Sequence, residues 1–186
     1  MLKHFMRISS IACTIAMLAL LLASPAAFAS SRVVDRPQLP CTAQTDNYAY
    51  GSAQKGDIPG PGGAHLEISD YFEAQWCQDA IEHYQFHGYA NGYIYTENAK
   101  LTLGTQLTIN GLNVSFSLPA GASFSGNGGS VATHTVTANG SYVIFNYSGV
   151  NASSFNSFGE TQEDTLTANI DNGDYQTQSQ INLPPN

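Results

Sequence analysis

Asp79, His83 and His87 are the residues whose types and spacing come closest to a reaction centre. On a helix they fall at i, i+4 and i+8, so their side chains project from nearly one face. Two imidazoles one turn apart can share a divalent ion, and a carboxylate one turn earlier adds a third ligand. His65 and Glu67, just upstream, would complete the set. The catalytic zinc pattern H-E-x-x-H is absent. Asp79-Ala80-Ile81-Glu82-His83 approaches the inverted pattern but carries Asp where that pattern needs His. The competing expectation is packing, because the same helix face holds Phe72 and Trp76. The chain is therefore read as having no cofactor, with a divalent metal at Asp79, His83 and His87 as the alternative.

Other chemistry is less marked. Glycosidases need two acids across a sugar, and Glu160, Glu163 and Asp164 cluster near the carboxyl end, followed by Asp171 and Asp174. Asp171 and Asp174 flank a turn, where solvated acids or a calcium ion would relieve their repulsion. No Gly-x-Ser-x-Gly elbow is present to raise a serine nucleophile. A cysteine nucleophile conflicts with the expected oxidation of Cys41 and Cys77. No residue is assigned a catalytic role. Aromatic residues instead suggest binding: Tyr48, Tyr50, Tyr71, Tyr84, Tyr89, Tyr93 and Tyr95 crowd the first half of the chain. Rings with polar tips suit sugar stacking and protein interfaces, and Trp76, Tyr89, Tyr93 and Tyr95 are the candidate contact residues.

The elements that must position these groups differ along the chain. Residues 70–87 are expected to form a helix: Asp70 and Glu73 fit a capping box, and Gly88 stands at a stop. Phe72, Trp76, Ala80 and Tyr84 recur every fourth residue. From Gly88 onward the period is two. Asn110-Gly111 fits a type I′ hairpin turn, pairing Ile109 with Leu112, Leu107 with Val114, Thr105 with Phe116 and Leu103 with Leu118. Asn139-Gly140 and Asn172-Gly173 read as further hairpin turns, the first pairing His134 with Phe145 and the second Ile170 with Tyr175. Asn91-Gly92 is a weaker turn signal. Residues 121–130 and 148–159 read as loops. Short strands at this spacing predict a mainly β fold, an antiparallel β-sandwich of jelly-roll or Ig-like type with one amino-terminal helix.

The amino terminus reads as a secretory signal peptide over residues 1–29. Lys3 and Arg7 form its basic start, Ile8 to Leu22 is almost wholly apolar, and Ala27-Phe28-Ala29 offers a cleavage site. Residues 30–63, rich in Pro and Gly, read as an irregular arm, and 64–186 as a single sandwich domain. Two cysteines survive processing, and in an exported chain they are expected to form a Cys41–Cys77 disulfide pinning the arm to the helix. Loss of Lys3 and Arg7 leaves four Lys and Arg against 14 acids, a formal charge of −10. Such a chain is repelled by nucleic acid and by anionic membranes.

These features point to a secreted, extracellular or periplasmic, non-enzymatic protein that binds an extracellular protein or polysaccharide through its surface. A small polysaccharide-active enzyme using Asp79/His83/His87 or Glu160/Glu163/Asp164, or a protease inhibitor presenting a loop such as 121–130, is the alternative.

Overall fold

The computed structural model describes residues 39, 41, 47–59, 64–95, 98–118, 123–126, 128–171 and 173–184. The expected signal peptide and most of the segment between it and Asn47 lie outside the described residues. Nine strands cover most of the described chain: β1 Asn47–Pro59, β2 His65–Gln78, β3 Glu82–Tyr95, β4 Ala99–Leu112, β5 Ser115–Ser117, β6 Val131–Gly140, β7 Tyr142–Ser154, β8 Asn156–Ile170 and β9 Gly173–Leu183. They form a five-stranded sheet in the order β1-β2-β3-β7-β5 and a four-stranded sheet in the order β6-β4-β8-β9, antiparallel throughout. The sheets stack face to face: β1 and β2 lie over β9, β3 over β4 and β8, and β7 over β4 and β6.

Alternation builds the core. Leu66, Ile68, Phe72 and Ala74 on β2 point inward with Phe86, Ala90 and Ile94 on β3. Leu101, Leu103, Leu107 and Ile109 on β4 meet them from the other sheet, with Leu166, Ala168 and Ile170 on β8. Phe86 anchors a chain of aromatic rings through the middle, with centroids 5.5 Å from Phe72 and 5.9 Å from Phe116. The sheets approach closely at Gly92, where a Cβ would stand 2.5 Å from Leu166 Cδ1. Asn91-Gly92 is therefore a mid-strand packing site and not a turn.

The helix expected over 70–87 does not form. Those residues are the end of β2, a short turn at Asp79-Ala80-Ile81, and the start of β3. The reason is arithmetic: residues four apart share a strand face as well as a helix face, so Phe72, Trp76 and Tyr84 fit both periods. Aromatic density and long-range pairing to β1 and β7 then favour the sheet. Asp70 caps nothing; its side chain points into the core. Within the arm expected to be irregular, Asn47–Pro59 forms β1, paired with β2 over nearly its whole length.

Several turns also differ from expectation. β4 runs straight through Asn110-Gly111, with Gly111 opposite Ser157 at a bulge. A Cβ at Gly111 would lie 2.6 Å from the Asn156 carbonyl, so this glycine serves close approach. The chain bends at Asn113, whose φ of 52° is left-handed, and without reversing it carries on as β5 in the opposite sheet, antiparallel to β7. Asn139-Gly140 likewise joins two sheets and forms no hairpin. His134 and Phe145 nevertheless meet as expected, as rings stacked 3.9 Å apart between sheets. The last hairpin forms with its register moved: Ile170 pairs with Gly173 and Ala168 with Tyr175, and Asp171 takes the left-handed turn position at φ 49°. The segment 148–159, expected as a loop, is the end of β7 and the start of β8. In 121–130, Phe124 is buried and Ser125 bridges Thr133.

Candidate functional site

The odd-numbered residues of β2 face away from the core, and the register carries that face across the sheet. Tyr71 lies directly opposite Tyr89, Glu67 opposite Tyr93, and His65 opposite Tyr95. Tyr50 lies opposite Glu73 on β1, and Tyr142 opposite Tyr93 on β7. Tyr50, Tyr71, Tyr89, Tyr93, Tyr95 and Tyr142 therefore share the outer face of the five-stranded sheet. Three of them form a row across β1, β2 and β3: ring centroids are 6.3 Å apart for Tyr50–Tyr71 and 5.8 Å for Tyr71–Tyr89, with planes within 28° and 18° of parallel. Tyr50 is 65% exposed, and Tyr95 and Tyr142 are also exposed.

Carboxylates fix the polar tips of this face. Glu67 accepts from Gln54 Nε2 at 2.6 Å and from the Tyr95 hydroxyl at 3.0 Å, tying β1 to β3 across β2. The Tyr71 hydroxyl donates to Glu73 at 2.7 Å. Burial, reinforced by Glu67, raises the phenols of Tyr93 and Tyr95 above their usual range. Both stay neutral donors at physiological pH. Of the four contact residues expected from sequence, Tyr89, Tyr93 and Tyr95 lie on this face. Trp76 does not: it pairs with Tyr84 on the inner face and packs against the core. Tyr50, Tyr71 and Tyr142 complete the surface. Period-two alternation from Glu67 to Tyr71 was the sequence signal for Tyr71, whereas Tyr142 joins only through the β3–β7 register.

The acid group Glu160, Glu163 and Asp164 is split by the same alternation. Glu160, Gln162 and Asp164 of β8 point inward and are almost wholly buried, while Glu163 points to the other face. Asp164 accepts from the Thr105 hydroxyl and from Gln162 Nε2, each at 2.6 Å. Gln162 also donates to the Tyr89 carbonyl and accepts from the Tyr147 hydroxyl. Facing Asp164 from β2 is Asp70, equally buried, which accepts from the Ala53 N–H at 3.0 Å. Burial, augmented by Asp70, pushes Asp164 up to about 7, and burial likewise raises Asp70. Glu160, raised by burial, accepts from Ser157 at 2.7 Å, close to Glu82, which accepts from Tyr84 at 2.9 Å. No Lys or Arg occurs on β2, β3, β7, β8 or β9. At the Asp70–Asp164 pair, burial and the facing carboxylate therefore favour a retained proton. These acids tie the sheets together and are sealed from any substrate. Asp174, expected to oppose Asp171, instead accepts from Asn169 at 2.7 Å.

The proposed metal group is rearranged by the loss of the helix. Asp79 sits in the β2–β3 turn and His83 opposite Cys77 at the start of β3. His87 lies four residues further along the strand, about 13 Å away at the usual strand rise; it is buried, opposite Glu73, with Nε2 3.2 Å from Gln85 Oε1. Cys41 takes its place: Cys41, Asp79 and His83 offer ligand atoms within 4.8 Å of one another. Cys41 is bonded to Cys77, which anchors residue 41 to the outer face of the sheet.

Fold and site together define an antiparallel β-sandwich with an aromatic face on its larger sheet and a disulfide at one end of that face. No family model matches the chain, and no curated protein matches its sequence.

Proposed function

We propose that this chain is an exported, non-enzymatic binding domain that recognises an extracellular polysaccharide through the tyrosine face of its five-stranded sheet. The observation that carries this reading is the Tyr50–Tyr71–Tyr89 row, three near-parallel rings on three adjacent strands. The row sets three phenols in line across adjacent strands, and aromatic side chains with polar tips suit contact with both the apolar patches and the hydroxyls of sugars. Glu67, Gln54 and the neighbouring phenols supply the hydrogen-bonding groups at its rim. The inward acids argue against the polysaccharide-active alternative, because Glu160 and Asp164 are buried away from any glycosidic bond. The disulfide is in keeping with an extracellular or periplasmic setting.

The test is binding of the mature protein to a glycan array and to insoluble polysaccharides, alongside Tyr71→Ala and Tyr89→Ala. Retention of wild-type protein on at least one glycan, weakened about tenfold or more by either substitution, is the expected result. Glycan binding unchanged in both variants would remove the row from the site. Capture of a protein partner lost in both, with no glycan bound, would transfer the face to protein recognition.

A further inference from the structure

We propose that the disulfide end of the sheet is a zinc site in its reduced form, with Cys41, Cys77, Asp79 and His83 as ligands, so that disulfide and metal exclude one another. The β2–β3 turn brings three of the four donors within seven residues: Cys77 is next to last in β2, Asp79 lies in the turn, and His83 opposes Cys77 on β3. The fourth, Cys41, arrives from the amino-terminal side and is already held at this spot by its bond to Cys77. Ligand atoms of Cys41, Asp79 and His83 lie within 4.8 Å of one another. Around a tetrahedral zinc, with bonds of about 2.0–2.3 Å, ligand atoms stand roughly 3–4 Å apart, so Cys41, Asp79 and His83 need only modest rotations, while the Cys77 sulfur must leave Cys41 and turn toward them. Two thiolates, one imidazole and one carboxylate are a zinc-selective set. Asp79 is exposed and opens the site to solvent, whereas both cysteines are buried.

Oxidised, the site offers only Asp79 and His83, because a disulfide sulfur is not a thiolate. A phosphine reductant supplies two electrons to the S–S bond and becomes a phosphine oxide with oxygen from water. Two protons go to the sulfurs, and zinc displaces them on binding. This site is independent of the tyrosine face and does not rest on polysaccharide recognition.

The test is zinc and cobalt titration of the full mature chain, oxidised and phosphine-reduced. The reduced chain should take one equivalent of zinc and melt about 5–10 °C higher at a hundredfold excess over Kd, and cobalt should give thiolate charge-transfer bands. The oxidised chain should show neither. Asp79→Asn and His83→Ala should each weaken zinc by about tenfold or more in the reduced chain. Cys77→Ser, which cannot form the bridge, should bind cobalt without reductant through one thiolate. Zinc affinity equal in the two redox states overturns the proposal. So does full affinity in both the Asp79 and His83 variants, as expected of two thiols on an unfolded chain, or failure of Cys77→Ser to bind cobalt.

Discussion

Gly88 of β3 leaves the space that the Tyr147 hydroxyl occupies: a Cβ there would stand 2.5 Å from that oxygen and would fall on the Tyr71 carbonyl as well. The chain bulges here, between Phe86 and Gly88, as β3 passes β7. One glycine thus joins the tyrosine face, through the Tyr71 backbone, to the buried polar network, through Tyr147 and Gln162.

Gly88→Ala is accordingly expected to destabilise the fold by about 2–3 kcal/mol, because the atom it meets includes backbone that cannot rotate away. Thermal melting followed by circular dichroism checks this. An unchanged midpoint would mean that the bulge has room to relax.

The Asp70–Asp164 pair makes stability depend on pH. The folded-state affinity of Asp164 for its proton is raised, to about 7, above the ordinary carboxylate value of about 3.9. Below about pH 4 both folded and unfolded chains hold the proton and the group costs nothing. As pH rises from about 4 to 7 the unfolded chain ionises first, and stability falls by up to about 1.4 kcal/mol per pH unit. Above about 7 the loss levels off. Melting temperatures from pH 4 to 8 should show this decline, and Asp164→Asn should flatten it. A wild-type profile that rises over the same range would contradict the shared proton.

The disulfide spans 36 residues of sequence. Closing a loop of that length stabilises by about 3–4 kcal/mol through the unfolded chain. The double substitution Cys41→Ser with Cys77→Ser is expected to lower the melting temperature by roughly 10 °C. A shift within error would mean that the arm carrying Cys41 is held by other contacts.

Export predicts that the protein recovered outside the cell begins at Ser30. Intact-mass measurement of secreted material gives the answer directly, and retention of the apolar run from Ile8 to Leu22 would replace export by anchoring.

Composition and local pattern determined part of this protein. Two cysteines outside the expected signal peptide, in a chain read as exported, made Cys41–Cys77 the natural pairing, and the structure contains it. Period-two alternation after Gly88 marked strands, and the turn signals near Asn172 marked the β8–β9 hairpin, displaced in register. Tertiary structure decided what local spacing left degenerate. Positions four apart in 72–84 satisfy helix and strand alike, and only pairing with β1 and β7 resolves them. Asn110-Gly111 has the chemistry of a turn, yet Leu107 and Ile109 are buried by continuing β4 against β8, and the chain only bends, at Asn113, before continuing as β5 beside β7. The tyrosine row runs perpendicular to the chain, so its members are chosen by register between strands that a linear reading cannot supply. The same holds for Asp70 and Asp164, 94 positions apart in the sequence. Each looks like an ordinary surface acid until two sheets close over it, when burial and the facing carboxylate favour a retained proton.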